Sequence, residues 1–210
     1  MTLALALETS VADLTRAIDR FPWENKAVYA DWLAQTYYYV RHSTRLLAAS
    51  AARFPYDPRG NTLHHRFGAH MAEENKHELL CTHDLKVLGD SIDAHPEHAS
   101  TRMFYEPQYF KIEHQDPIVL FGYILPLEAI APLQGKLVEQ KVTAKFGPKC
   151  ASFLKVHAEE DVDHLEKALA MLAEVDEERK RLIVENLEQT SYAYVALLED
   201  LRRRSDSSRR

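Results

Sequence analysis

Glycine and cysteine are scarce in this chain of 210 residues, which has six glycines and two cysteines. Cys81 and Cys150 lie far apart in the sequence, so no disulfide framework is predicted and a reducing compartment is expected. The formal net charge is −6, and the one basic run is the C-terminal tail that starts at Arg202. A nucleic-acid partner would need a clustered basic face. None is therefore expected, and the tail is predicted to be a frayed, solvated terminus.

A targeting segment and a membrane span are not predicted either. The apolar opening, Met1 to Leu7, lacks a basic region and ends at Glu8, which makes it too short for a signal peptide. We expect no apolar run to be long enough to cross a bilayer. A cytoplasmic protein without a membrane partner is the resulting expectation.

The composition predicts an all-α protein, because alanine, leucine, glutamate and lysine are abundant and β-branched alternation is rare. We find no repeat, linker or composition shift, so a single helical domain is predicted over 1–210, with its core at about 24–203. Helical periodicity and the proline and glycine positions predict helices over about 8–20, 24–54, 61–88, 108–114, 117–146, the stretch from the Gly147-Pro148 break to Ala173, and 177–203. Asn61 is the expected N-cap of the third helix.

One predicted helix carries two histidines and an aspartate on the same face. At about 100° per residue, His157, Asp161 and His164 fall within roughly a 60° sector. Imidazole nitrogens with a carboxylate oxygen suit iron, manganese or zinc. A solvated polar face is the plain alternative for a single such run.

A second stretch of the same kind lies on the predicted third helix. Glu74 and His77 are three residues apart and would share a face, with His70 close by on the same stripe. An acid-x-x-His step presents an oxygen and a nitrogen to a metal pair in di-iron carboxylate bundles. Asp161 and His164 repeat this step, so the two stretches together predict a metal centre.

Glu128 is the only charged residue of a very apolar stretch that starts at Pro117. A helix that is apolar all round is buried, and Glu128 would be buried with it. A buried carboxylate pairs, protonates or binds a metal. The candidate partners are Arg41 and Arg66, but a metal ligand is favoured because the two candidate sets lack a bridging acid. Together, six residues form a nitrogen- and oxygen-rich set that is large enough for two metals, for which iron is favoured: Glu74, His77, Glu128, His157, Asp161 and His164.

This pattern resembles the ligand pattern of the haem-oxygenase-like di-iron oxidases and oxygenases. The neighbouring sequence is also similar to that family in three places: His70-Met-Ala-Glu-Glu-Asn-Lys-His-Glu-Leu-Leu, Asp84-Leu-Lys-Val-Leu-Gly and the stretch from Tyr37 to His42. The resemblance covers about residues 25–175. In some branches the first histidine follows the glutamate by seven positions, where this chain has Cys81.

The resemblance implies a single seven-helix bundle of the haem oxygenase and thiaminase II type. It also implies an iron-dependent oxidoreductase that uses dioxygen on a fatty acid or amino acid, in oxidative C–C cleavage or N-oxygenation. Two non-haem iron ions would be held by the six ligands named together here: Glu74, His77, Glu128, His157, Asp161 and His164. An external electron donor and a small-molecule substrate would be the partners, a homodimer stays open, and the substrate-binding residues are unknown.

Several alternatives stay open. A thiaminase II-like hydrolase would use a nucleophilic cysteine, for which Cys150 is the candidate. A binding protein on the same fold that holds no metal would need no metal-ligating residues. Glu73 could replace Glu74 as a ligand, and Arg41 or Arg66 could anchor a substrate carboxylate. Iron storage is disfavoured because the 24–54 helix offers acids only near its start.

Overall fold

A computed structural model shows how the chain folds. It describes residues 1–207, and the side chains of 160–164 and 206–207 lie outside the description. No strand occurs within these bounds. The α-helices are α1 (Leu3–Asp19), α2 (Lys26–Val40), α3 (Ser43–Ala51), α4 (Pro58–Glu73), α5 (Glu78–Val87), α6 (Ala99–His114), α7 (Phe121–Ile130), α8 (Lys136–Phe146), α9 (Ser152–Leu172) and α10 (Glu177–Ser207). A π-helical turn, Ala131–Gly135, joins α7 to α8. The all-α prediction is confirmed.

Three of the long predicted helices are each broken once. The 24–54 helix divides at Arg41 and His42 into α2 and α3, and the 117–146 helix is interrupted by the π turn. The 61–88 helix divides into α4 and α5 across residues 74–77, where Lys76 has a φ of 72°. A left-handed residue cannot continue a right-handed helix, so the prediction of one unbroken helix was wrong there.

Three predicted helix starts were also wrong. The first helix begins at Leu3 rather than at about residue 8, and the Thr2 side chain caps it by accepting a hydrogen bond from the Leu5 nitrogen. The third helix begins at Pro58 rather than Asn61, because the Asp57 side chain accepts a hydrogen bond from the Gly60 nitrogen at 2.7 Å and proline suits the first helical turn. The short helix expected at 108–114 is the end of α6, which contains Pro107 in its interior. The proline does not end α6, although it removes one backbone donor.

Helix α7 lies at the centre of the fold and packs against α1, α9 and α10. Its contact with α10 is close at Gly122, where an added Cβ would lie 2.8 Å from the Leu187 nitrogen. The surrounding core includes Tyr29, Phe67 and Phe104, all of which are almost fully buried. The acidic residue on α7, Glu128, is therefore deep inside the bundle.

The stretch Pro117–Phe146 is long and apolar enough to cross a membrane by length and composition, so the expectation that no run reaches that length was wrong. In its most apolar window 72% of the residues are buried inside the bundle. A central helix of a folded protein meets the same criteria, because it is surrounded by other helices rather than by lipid.

Candidate metal centre

Glu74 and His77 lie on a turn between two helices instead of on one helix face. Glu74 is the C-cap of α4 and His77 is the N-cap of α5. The turn keeps the two side chains together, with 3.8 Å between the Glu74 Oε2 and the His77 Nδ1. Both side chains are largely buried, at 12% and 15% exposure.

His157 reaches the same place from α9. A side chain of α5 binds the first turn of that helix. The Asp84 carboxylate accepts a hydrogen bond from the Phe153 nitrogen at 3.0 Å and so supplies the cap that Ala151 lacks. One turn later, His157 Nδ1 lies 2.9 Å from the Phe153 carbonyl oxygen. Because a carbonyl oxygen can only accept, Nδ1 donates, and Nε2 is the ring nitrogen that a metal would use.

Glu74, His77 and His157 converge. One ligand atom from each lies within 4.8 Å of the other two. The imidazole rings of His77 and His157 stand edge to face with their centroids 5.0 Å apart. Two imidazole nitrogens and a carboxylate oxygen at this separation surround a space of the size that one divalent ion fills. The donor set therefore fits iron.

Glu128 lies beside this group, and a further histidine connects it. His70 Nε2 is 3.3 Å from Glu128 Oε1 and 3.7 Å from Glu74 Oε1. His70 is buried, as is Glu128 at 5% exposure. The ligand prediction did not include His70. The signal was its position four residues before Glu74, which places both on one side of α4.

The histidines also set the charge of Glu74. Burial by itself would raise the pKa of this carboxyl group, but His70, His157 and His77 more than compensate and lower the pKa to about 2. Glu74 is therefore an anion at neutral pH, which is the form that binds a cation.

The remaining residues considered in the sequence analysis lie in different places. Glu73 points elsewhere, since its carboxylate lies 3.7 Å from Arg66 and is 39% exposed. Arg41 lies 3.5 Å from Glu97, so the arginine partners considered for Glu128 are engaged elsewhere. The side chains of Asp161 and His164 lie outside the described residues, and their part in the centre stays a prediction.

Four of these histidines and acids open onto a cavity of about 140 Å³. Glu74, Glu128, His70 and His157 line part of it. Most of the remaining lining is apolar and includes Trp32, Leu46, Leu47, Leu120, Ile124 and Leu127. The described lining residues include no lysine or arginine.

A family model described as "iron-containing redox enzyme" matches residues 30–195. This chain belongs to that family. The match spans the helices that carry His70, Glu74, His77, Glu128 and His157, so the convergence of these residues lies within the part of the chain that defines the family. No match is found among curated proteins.

Solved structures share the fold at low sequence identity. A domain of unknown function with a haem oxygenase-like fold from Shewanella denitrificans is 20% identical, with a TM-score of 0.81 over 97% of this chain and 90% of that one. A TenA homologue from Pseudomonas syringae is 12% identical, with a TM-score of 0.78 over 96% and 93%. A TenA homologue from Pyrococcus furiosus is 14% identical, with a TM-score of 0.76 over 95% and 100%. The predicted haem-oxygenase-like fold is confirmed.

Proposed function

We propose that this chain is a non-haem iron-dependent oxygenase or oxidase that uses dioxygen on a small organic molecule. The observation that carries the proposal is the convergence of Glu74, His77 and His157 beside an apolar cavity, which Glu74 and His157 line. Glu128 is the fourth proposed ligand within the described side chains, and Asp161 and His164 would complete a pair of iron sites. A cytoplasmic location and an external electron donor belong to the same proposal.

Iron, when bound, supplies the one-electron and dioxygen chemistry that amino-acid side chains lack. The chain provides Glu74 as an anion and orients His157 through its Nδ1 bond to the Phe153 carbonyl oxygen, so that its Nε2 is the atom available to the metal. His70 lies against both Glu74 and Glu128 and holds the two carboxylates in position. The apolar lining excludes water from the reacting groups.

The cavity wall favours a substrate with an apolar body. Burial of apolar surface is the main gain that such a wall offers a ligand. A carboxylate head would find no lysine or arginine among the described lining residues, so its charge would have to be met by the metal or by histidine. Between the two classes implied by the resemblance, this arrangement favours a fatty acid over a zwitterionic amino acid.

The hydrolase alternative has less support. Neither Cys81 nor Cys150 lines the cavity, and both are fully buried. The Cys150 thiol donates to the Gly147 carbonyl oxygen at 2.9 Å, and burial raises its pKa. A thiol held in this way is a poor nucleophile, because thiolate is the reactive form.

Anaerobic loading with ferrous iron tests the proposal. We expect the washed protein to retain iron and to develop a new optical absorption on exposure to air. His157→Ala should abolish this uptake, whereas His83→Ala, which removes an exposed histidine of α5, should leave it unchanged. The measurements are iron content per chain and the difference spectrum. Iron content near zero in the wild type, or equal uptake by the two variants, would contradict the proposed function.

A further inference from the structure

A tyrosine on α7 lines the same cavity as the proposed ligands. Tyr123 lies five residues before Glu128, about 7.5 Å along the helix axis. It is 4% exposed, and its ring packs on Phe104 with the centroids 5.0 Å apart. The ring is therefore fixed by the core, and its place at the cavity wall does not depend on a ligand.

The Tyr123 hydroxyl is buried and has no hydrogen-bond partner among the described residues. Buried tyrosines nearly always use their hydroxyl group, because leaving it without a partner forfeits the hydrogen bond that water would have made. Tyr29 shows the usual arrangement, since its hydroxyl donates to the Cys150 carbonyl oxygen at 2.8 Å. Tyr123 lacks such a bond and borders a space that a ligand can enter.

The neighbouring groups define what this hydroxyl would bind. A phenol is protonated at neutral pH and readily donates. The acids at the wall, Glu74 and Glu128, lie against His70 and are the proposed metal ligands. A buried hydroxyl donor in a mostly apolar wall favours a molecule that carries a hydrogen-bond acceptor on an apolar body.

We propose that Tyr123 orients the substrate by donating a hydrogen bond from its hydroxyl to an acceptor oxygen on the substrate. This inference rests on the proposed function in one respect only, namely that the cavity beside the ligands is where the substrate binds. Tyr123 would distinguish molecules that carry an acceptor from hydrocarbons of the same shape, since a buried donor left without a partner penalises the hydrocarbon.

Two neutral probes of nearly the same shape test this, namely cyclohexanone, which accepts a hydrogen bond, and methylenecyclohexane, which has no oxygen. Both tryptophans of the chain, Trp23 and Trp32, line the cavity, so intrinsic fluorescence reports binding in iron-free protein. Tyr123→Phe should weaken cyclohexanone binding about 3- to 10-fold and leave methylenecyclohexane binding unchanged. Using iron-free protein separates this result from failure of the iron proposal.

Thermal melting without a probe gives a second readout. Tyr123→Phe should melt at the same or a higher temperature than the wild type, because it removes a buried hydroxyl without a partner. Tyr29→Phe is the matched control, and it should melt at a lower temperature and bind both probes as the wild type does. Equal effects of Tyr123→Phe on the two probes, no cyclohexanone binding by the wild type, or clear destabilisation would each overturn the inference. A loss of iron affinity with unchanged cyclohexanone binding would also overturn it, because the hydroxyl would then serve the carboxylates.

Discussion

Among the side chains that the structure describes, two groups of histidines and carboxylates can be compared, and they differ in how their atoms approach one another. In the first, His70 lies 3.3 Å from Glu128 and 3.7 Å from Glu74, and His77 lies 3.8 Å from Glu74. One ligand atom of His157 lies within 4.8 Å of those of Glu74 and His77. In the second, His95 and His98 contact Asp31 and Asp90 from the loop before α6. The His98 Nε2 is 3.0 Å from Asp31, and the His95 Nε2 is 3.1 Å from Asp90.

The spacing determines what each group can do. At 3.0 to 3.1 Å the imidazoles and carboxylates of the second group are already hydrogen-bonded to one another, beside a groove that also contains Asp200. Most of the first group lines an apolar cavity, and Glu74, His77 and His157 each bring one ligand atom within 4.8 Å of the other two. The same residue types thus form a structural tie in one place and a candidate ion site in the other.

Replacing the central carboxylate of each group by alanine should affect iron binding in the first group and stability in the second. Glu74→Ala should weaken ferrous binding by about 100-fold or more, since loss of a ligand costs at least as much as loss of its supporting contacts. Asp31→Ala should leave iron binding unchanged and lower the free energy of unfolding by about 1–3 kcal/mol, because His95, His98 and Gln35 lose their shared acceptor. Iron titration and urea unfolding measure the two effects. Similar effects of both variants on iron would remove the distinction.

The stability that the second group contributes and the iron affinity of the first group should respond oppositely to pH. The hydrogen bond to Asp31 raises the pKa of His95 despite partial burial, and the histidines lower the pKa of Asp31 although burial opposes this. The stability from His95 is therefore fully present below about pH 6.5 and is lost as the pH rises through its folded value. The stability from Asp31 is present above about pH 4 and is lost on acidification through its lowered folded pKa.

The stability difference between the wild type and His95→Gln should accordingly be greatest near pH 5–6, at up to about 1 kcal/mol after allowance for solvent screening. It should shrink as the pH rises from 6.5 through the raised pKa of His95. Iron affinity should change in the other direction, weakening as the pH falls, because protons compete for the ligand nitrogens. Urea unfolding and iron titration at several pH values test this, and a stability difference that grows with pH would contradict the assignment.

The smallest effect is expected at the turn that holds Glu74 and His77. Lys76→Gly should raise the free energy of unfolding by up to about 1 kcal/mol, since glycine adopts a positive φ without the steric cost that lysine has there. Lys86→Gly, on the exposed face of helix α5, is the control and should lower it by about 1 kcal/mol. Iron binding should persist in both. Equal destabilisation by the two changes would mean that the turn is not strained.

The helical fold and the burial of Glu128 could be predicted from the sequence, because an apolar stretch with one acid has few other placements. The break at Lys76 could not, since neither glycine nor proline marks it. The contacts of His95 and His98 with Asp31 could not be predicted either, because nothing local in the sequence links these residues. His70 was noticed but not included among the ligands, because its contact with Glu128 depends on how α4 and α7 pack.

The hydrogen bond that the Phe153 nitrogen donates to the Asp84 carboxylate sets the angular orientation of α9, because Asp84 belongs to another helix. Phe153 and Asp84 are 69 positions apart in the chain. Changes in length between α8 and Ser152 can be absorbed before this bond, with no rotation of the helix beyond it. One residue inserted between Phe153 and His157 would instead turn the imidazole by about 100°. Positions 153 to 157 are thus a stretch of α9 in which a change in length would move His157 away from Glu74 and His77.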